Sequence, residues 1–189
     1  MEVEKRTLEP ASGFSGELAF YLGSWEELRS RLRKTVSDLT DEELESRAFP
    51  SAHQIGNLIL HIGESEAGWI WQIIDGQELS EEEKKLVHWY DTTERDFAEK
   101  GYSAKACLER IDRINSMSRR ILSKFTDADL DKFFAYERDD KRVEVTLRWV
   151  LVHLLDHEAT HRGQILMLKR ILREEIELGR VSASVDDAE

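Results

Sequence analysis

The chain has one cysteine, two prolines and ten glycines in 189 residues. A single thiol excludes an intrachain disulfide, and nothing else points to an oxidising compartment. So little proline and glycine leaves few places for tight turns, which favours long helices over many short strands. No apolar run approaches the roughly 18 residues that a membrane span needs. The stretch MEVEKRTLEP is charged and has no apolar core of a signal peptide, so the cytoplasm is the expected compartment. Basic residues are in deficit, 27 against 39 acidic ones, for a formal charge of -12. They are interleaved with acids rather than clustered, so phosphate backbones are repelled and nucleic acid is not an expected partner.

What is present reads as a globular helical protein. Hydrophobic residues make up 40% and charged residues 35%. The length suits one domain, with a core over about 14–178 and flexible termini. Four amphipathic segments are expected. In the first, Phe14, Leu18, Tyr21, Leu22, Trp25, Leu28, Leu32, Val36 and Leu39 recur at spacings of three and four. The second runs from about Ser51 to Ile74, with Ser51 and Gln54 as a capping box and Asp75-Gly76 as a stop. It is apolar on most sides, which predicts deep burial. The third carries Cys107, Ile111, Ile114, Met117, Ile121 and Phe125. The fourth runs from about Thr146 to Leu178 and ends at Gly179.

Two connections shape the topology. Residues from about 77 to 102 are acidic, with aromatics at Trp89, Tyr90 and Phe97. A crossover of that length lets the second and third helices run parallel. In KFFAYERDDKRVEVT, Asp139-Asp140 separates two alternating runs, which predicts a small hairpin before the fourth helix. The stretches LTDEEL and FTDADL echo one another, each ahead of a histidine-bearing helix. The tail VSASVDDAE reads as disordered.

The chemistry concentrates in LVHLLDHEATHRGQILMLKR. Turned at about 100° per residue, the fourth helix shows an inner stripe of Val150, Leu154, His157, His161, Ile165, Leu168 and Leu172. Two imidazoles thus stand where the bundle expects Leu or Ile. Burying them costs free energy unless each finds a partner. Buried carboxylates or carbonyls are one class of partner. A divalent ion is the other, and the i, i+4 spacing puts both rings within reach of one ion. His61 interrupts the apolar run NLILHIGE on the second helix, beside the small residues Gly63, Ser65 and Gly68. His61, His157 and His161 give three nitrogen ligands from two helices and leave positions open for water or substrate.

The other candidates rank behind these. His153 is expected to support the site from beside a ligand or to pack at the helix edge, too far round the helix from His161 to join it easily. His53 and His88 are expected to face solvent, with His88 at a cavity mouth. Gly163 within a helix predicts close approach of another helix, or room near the site. Cys107, on an apolar stripe, is a core residue rather than a nucleophile. The pattern His157-Glu158-x-x-His161 also matches zinc peptidases, with Glu158 as general base. That reading lacks its third ligand: position 167 is methionine. Glu174, Glu175 and Glu177 continue the same helix, and Glu175 lies roughly 20 Å from His161. Glu158 and Gln164 therefore read as residues that hold a ligand ring in place or handle protons, with solvation the plain alternative for Glu158.

HQIGNLILHIGE followed by LVHLLDHEATHRGQILMLKR resembles the DinB-like (YfiT-like) superfamily of bacterial metal-dependent enzymes. The resemblance runs from about Phe14 to Arg173, and DHEATHRGQI is its most specific piece. It implies an all-α four-helix bundle with a long crossover between helices two and three. It also implies a metal triad of His61, His157 and His161, loaded with zinc or nickel. Related branches transfer low-molecular-weight thiols to small molecules or isomerise substrates with their help, and homodimers are common. The leading expectation is a metal-dependent enzyme acting on a small molecule, with a thiol as cosubstrate. A non-catalytic helical binding module is the alternative, and a peptidase the third.

Overall fold

The computed structural model describes residues 3–88, 97 and 101–178. Four long helices form a bundle: α1 (Gly16–Val36), α3 (Ile55–Ala67), α5 (Ala104–Leu122) and α6 (Leu147–Glu177). Two short helices, α2 (Asp41–Glu45) and α4 (Glu81–Val87), lie in the connections. Between α5 and α6 sits the expected hairpin, β1 (Phe133–Arg138) paired antiparallel with β2 (Lys141–Thr146). Its turn residues Asp139 and Asp140 both have positive φ, 51° and 58°. That is the two-residue geometry whose twist matches the strands, and Asp tolerates it.

The ends of the helices show how local chemistry sets them. Thr40 and Glu43 cap α2 reciprocally, as Ser80 and Glu83 cap α4. The echoing FTDADL folds as a short turn in which Asp129 accepts from the Thr126 N–H and hydroxyl. Its Asp127 reaches across to α1 and accepts from the N–H groups of Glu17 (2.8 Å) and Leu18 (2.9 Å). A carboxylate at a helix N-terminus satisfies orphan donors and suits the dipole there. Gly16 has φ +63°, and any Cβ on it would meet that carboxylate.

Cross-helix bonds fix direction. Glu66 meets Asn115 and Trp71 meets Ser118 in the same order along α3 and α5, so the two run parallel, as the long crossover predicts. Trp25 meets Glu158 and Thr35 meets Lys169, so α1 and α6 are also parallel. The buried interior forms two clusters, one around Trp71, Leu147 and Val150, the other around Ile55, Ile59, Ile111 and Leu168.

Several expectations are corrected. The second helix begins at Ile55, and Gln54 does not complete a box with Ser51. Its amide donates to the Glu45 carbonyl and accepts from the Phe97 N–H, tying down the crossover. The crossover holds α4, whose Ser80-Glu83 box was legible but passed over. Helix α3 also continues as a π-turn over Gly68–Ile74 before Gly76 ends it at φ +68°. Gly63 makes room for α5, not for His61: a Cβ there would sit 2.9 Å from Ile114 Cδ1. Gly163 has no close helix, since a Cβ on it would meet nothing within 4 Å. The expected roles of Trp89, Tyr90, Gly179 and the tail lie outside the described residues.

Candidate metal centre

Helices α3 and α6 run antiparallel, and His61 of one faces His157 and His161 of the other. The Nε2 atoms of His61 and His157 are 3.2 Å apart, and those of His157 and His161 are 3.1 Å apart. Among the described residues, these three are the one group of at least three His, Cys, Asp or Glu whose ligand atoms all lie within 4.8 Å of one another.

The second ring nitrogens decide what the facing nitrogens can do. His161 Nδ1 donates to Gln164 Oε1 at 2.7 Å. His61 Nδ1 lies 3.3 Å from a carboxylate oxygen of Glu64, which can only accept. Both rings therefore carry their proton on Nδ1, and both Nε2 atoms present lone pairs toward His157. A proton on His157 Nε2 serves one of these lone pairs at a time, whereas a cation between the three nitrogens would accept from all of them. Two nitrogens bound at about 2.0–2.1 Å to a tetrahedral ion sit about 3.3 Å apart, close to the spacings here. The donor set fits a divalent ion.

Burial pushes His157 down to about 3, and the neighbouring His161, His61 and His153 push the same way. Burial also lowers His161, against the Gln164 hydrogen bond. Both rings are neutral at neutral pH, the state a metal ligand needs.

The remaining candidates fall in distinct places. Gln164 accepts from His161 Nδ1. His153 lies outside the nitrogen cluster: its ring stacks on Trp149 at 4.9 Å and 5°, with Trp69 edge-on at 5.0 Å. Glu158 is neither solvated nor bonded to a site histidine. It is 1% exposed and accepts from Trp25 Nε1 (2.9 Å) and from Nε and Nη2 of Arg29 (both 2.9 Å). The centre of the α6 stripe is therefore Glu158, and the two histidines sit half-buried at its edge. That also removes the base from the peptidase reading. His53 is exposed, just ahead of α3. His88 is half-buried against the Tyr102 ring rather than open to solvent. Cys107 is fully buried in the core.

Sequence reasoning missed Glu64, Arg29 and Glu66. Glu64 stands three residues after His61, the spacing of helical neighbours. Arg29 occupies a slot on the buried stripe of α1 between Trp25 and Leu32. Like the histidines, it is a polar group where an apolar one belongs.

Comparison with known proteins adds the following. The mycothiol-S-transferase family model matches residues 22–177. A DinB-like protein from Bacillus cereus has a similar structure, with TM-score 0.61 and 23% identity, covering 82% of this chain and 91% of that one. YfiT from Bacillus subtilis, described as "a probable metal-dependent hydrolase with an unusual four-helix bundle topology", has TM-score 0.61 and 17% identity, covering 87% and 93%. At such identities these two neighbours speak for the fold. No curated protein matches.

Proposed function

We propose, for a chain that belongs to the mycothiol-S-transferase family within the DinB-like superfamily, that it is a metal-dependent S-transferase acting on a small molecule. His61, His157 and His161 hold one divalent cation, and zinc or nickel suits an all-imidazole set. The observation that carries the reading is the convergence of three ring nitrogens, two of them with lone pairs fixed by Gln164 and Glu64. When bound, the cation supplies a lowered thiol pKa, so that a thiolate is present at neutral pH.

The chain's own residues do the rest. Gln164 and Glu64 orient the ligand rings. Half-burial of the site limits water around it. Three protein ligands and no fourth among the described residues leave room for a cosubstrate, which favours an enzyme over a closed structural site. Thiol transfer is favoured over hydrolysis by the family match over residues 22–177. Glu158, committed to Arg29 and Trp25, is not free to act as a base for either reaction.

The test is turnover of mycothiol with a small electrophile by the zinc- or nickel-loaded protein. Thioether formation that disappears in His161→Ala supports the reading. Hydrolysis of an ester or amide by the same protein without thiol consumption would replace it with the hydrolytic one.

We also propose a homodimer across the outer face of α6. Trp149, Val152, Asp156, Ala159, Gly163 and Leu166 recur at steps of three and four, the spacing of a helix–helix seam. Trp149, Val152 and Leu166 are 47%, 49% and 43% exposed. The open space beside Gly163 suits the close approach of a second copy's helix.

A further inference from the structure

We propose that Arg29 is the positioning residue of the histidine site: one guanidinium on α1 holds α3 and α6 at the rotation that brings their imidazoles together. The inference rests on the metal site proposed above. Arg29 is 3% exposed. Its Nε and Nη2 grip both oxygens of Glu158 at 2.9 Å, and Nη2 also donates to Glu66 at 2.9 Å. Its Nη1 reaches the Ile111 carbonyl of α5 at 3.4 Å. The second oxygen of Glu66 accepts from Asn115 at 3.2 Å, and Glu158 accepts further from Trp25. A single side chain of α1 therefore touches the other three long helices.

Its two carboxylate partners lie on the helices that carry the site. Glu158 is the neighbour of His157, and Glu66 lies just over one turn beyond His61. A planar fork bound to both oxygens of a carboxylate fixes orientation as well as distance. The leverage is large: a 20° rotation of α6 would carry a side-chain tip about 5–6 Å from the axis through roughly 2 Å. A working site tolerates only about 0.5 Å. Apolar contacts are non-directional, whereas the guanidinium fork adds a directional constraint on both helices.

A merely structural ion cluster makes a different forecast. Replacing a buried ion cluster by neutral groups often leaves stability unharmed, and a structural role then leaves the site unharmed too. The proposed role separates the two. The test uses cobalt(II), whose visible absorption reports coordination geometry, titrated into the whole chain. The variant is the charge-free triple Arg29→Met, Glu66→Gln, Glu158→Gln, in which the amides keep acceptors for Trp25 and Asn115. It is expected to stay helical with a cooperative melt, yet to bind cobalt about 10–100-fold more weakly and with an altered spectrum. Wild-type affinity and spectrum in the folded triple would overturn the role. Should the triple not fold, Arg29→Lys keeps the charge and loses the fork. The same weakening is expected there, and undiminished affinity overturns the proposal. A wild-type chain that takes up no cobalt overturns the site itself, and this role with it; His161→Ala marks that baseline.

Discussion

Gln164 decides which nitrogen of His161 carries the proton, and so which one is free for a cation. Gln164→Leu removes that constraint while keeping much of the shape. Metal affinity should fall about 10-fold or more, read by competition with a chelating dye, and Gln164→Glu should retain it. The buried imidazoles also make the metal-free chain sensitive to acid. The His157 pKa is depressed from 6.5 to about 3 in the folded state. Below pH 6.5 the unfolded chain therefore takes a proton that the folded chain refuses, and stability falls as pH falls toward 3. Salt-bridged carboxylates such as Asp38 and Glu43, held below their ordinary values, add their own loss only lower in the range. Between about pH 6.5 and 5 the histidines dominate. The melting temperature of the chelated protein should drop across that interval, and His157→Leu should flatten the drop. An equal drop in both proteins would contradict the assignment.

Helices are where the sequence was most legible. Spacings of three and four located all four long helices within a few residues, because each buries one stripe. Asp139-Asp140 located the hairpin for a local reason, the backbone those residues accept. The histidines were legible because a polar ring on an apolar stripe needs an explanation. Glu158 was misplaced because periodicity assigns a face but cannot say which of two adjacent residues lies deepest. Arg29 and Glu66 escaped because their partners lie far apart in the chain, and no local pattern records the pairing. The π-turn after Ala67 also had no sequence mark. Close packing of α3 on α5 makes its own forecast. In Gly63→Ala the added methyl meets Ile114 Cδ1 at 2.9 Å, the far end of a side chain that can turn aside, while alanine in a helix gains about 1 kcal/mol over glycine. Urea denaturation should show stability unchanged or raised; a loss of about 1–3 kcal/mol would mean that Ile114 has no room to yield.

Assembled, the bundle presents α6 on two sides: inward its buried stripe with His157 and His161 at the edge, outward the face proposed above as a dimer seam. The two faces should be separable. Val152→Glu with Leu166→Glu places charges on the seam without touching His157 or His161. Sedimentation should move from dimer to monomer while metal affinity stays within about twofold, because distant sites behave independently. A wild-type chain that is monomeric at micromolar concentration would contradict the seam. No helix among the described residues is long and apolar enough to cross a membrane.

The enzymatic reading requires that three imidazoles from two helices share one cation. Elemental analysis of protein purified without a nickel column, for the wild type and for His61→Ala, His157→Ala and His161→Ala, tests it most directly. About one zinc or nickel per wild-type chain is expected, with a near-complete loss in each variant and the helical melt retained. Full metal content in any one of the folded variants, or none in the wild type after zinc dialysis, would contradict it.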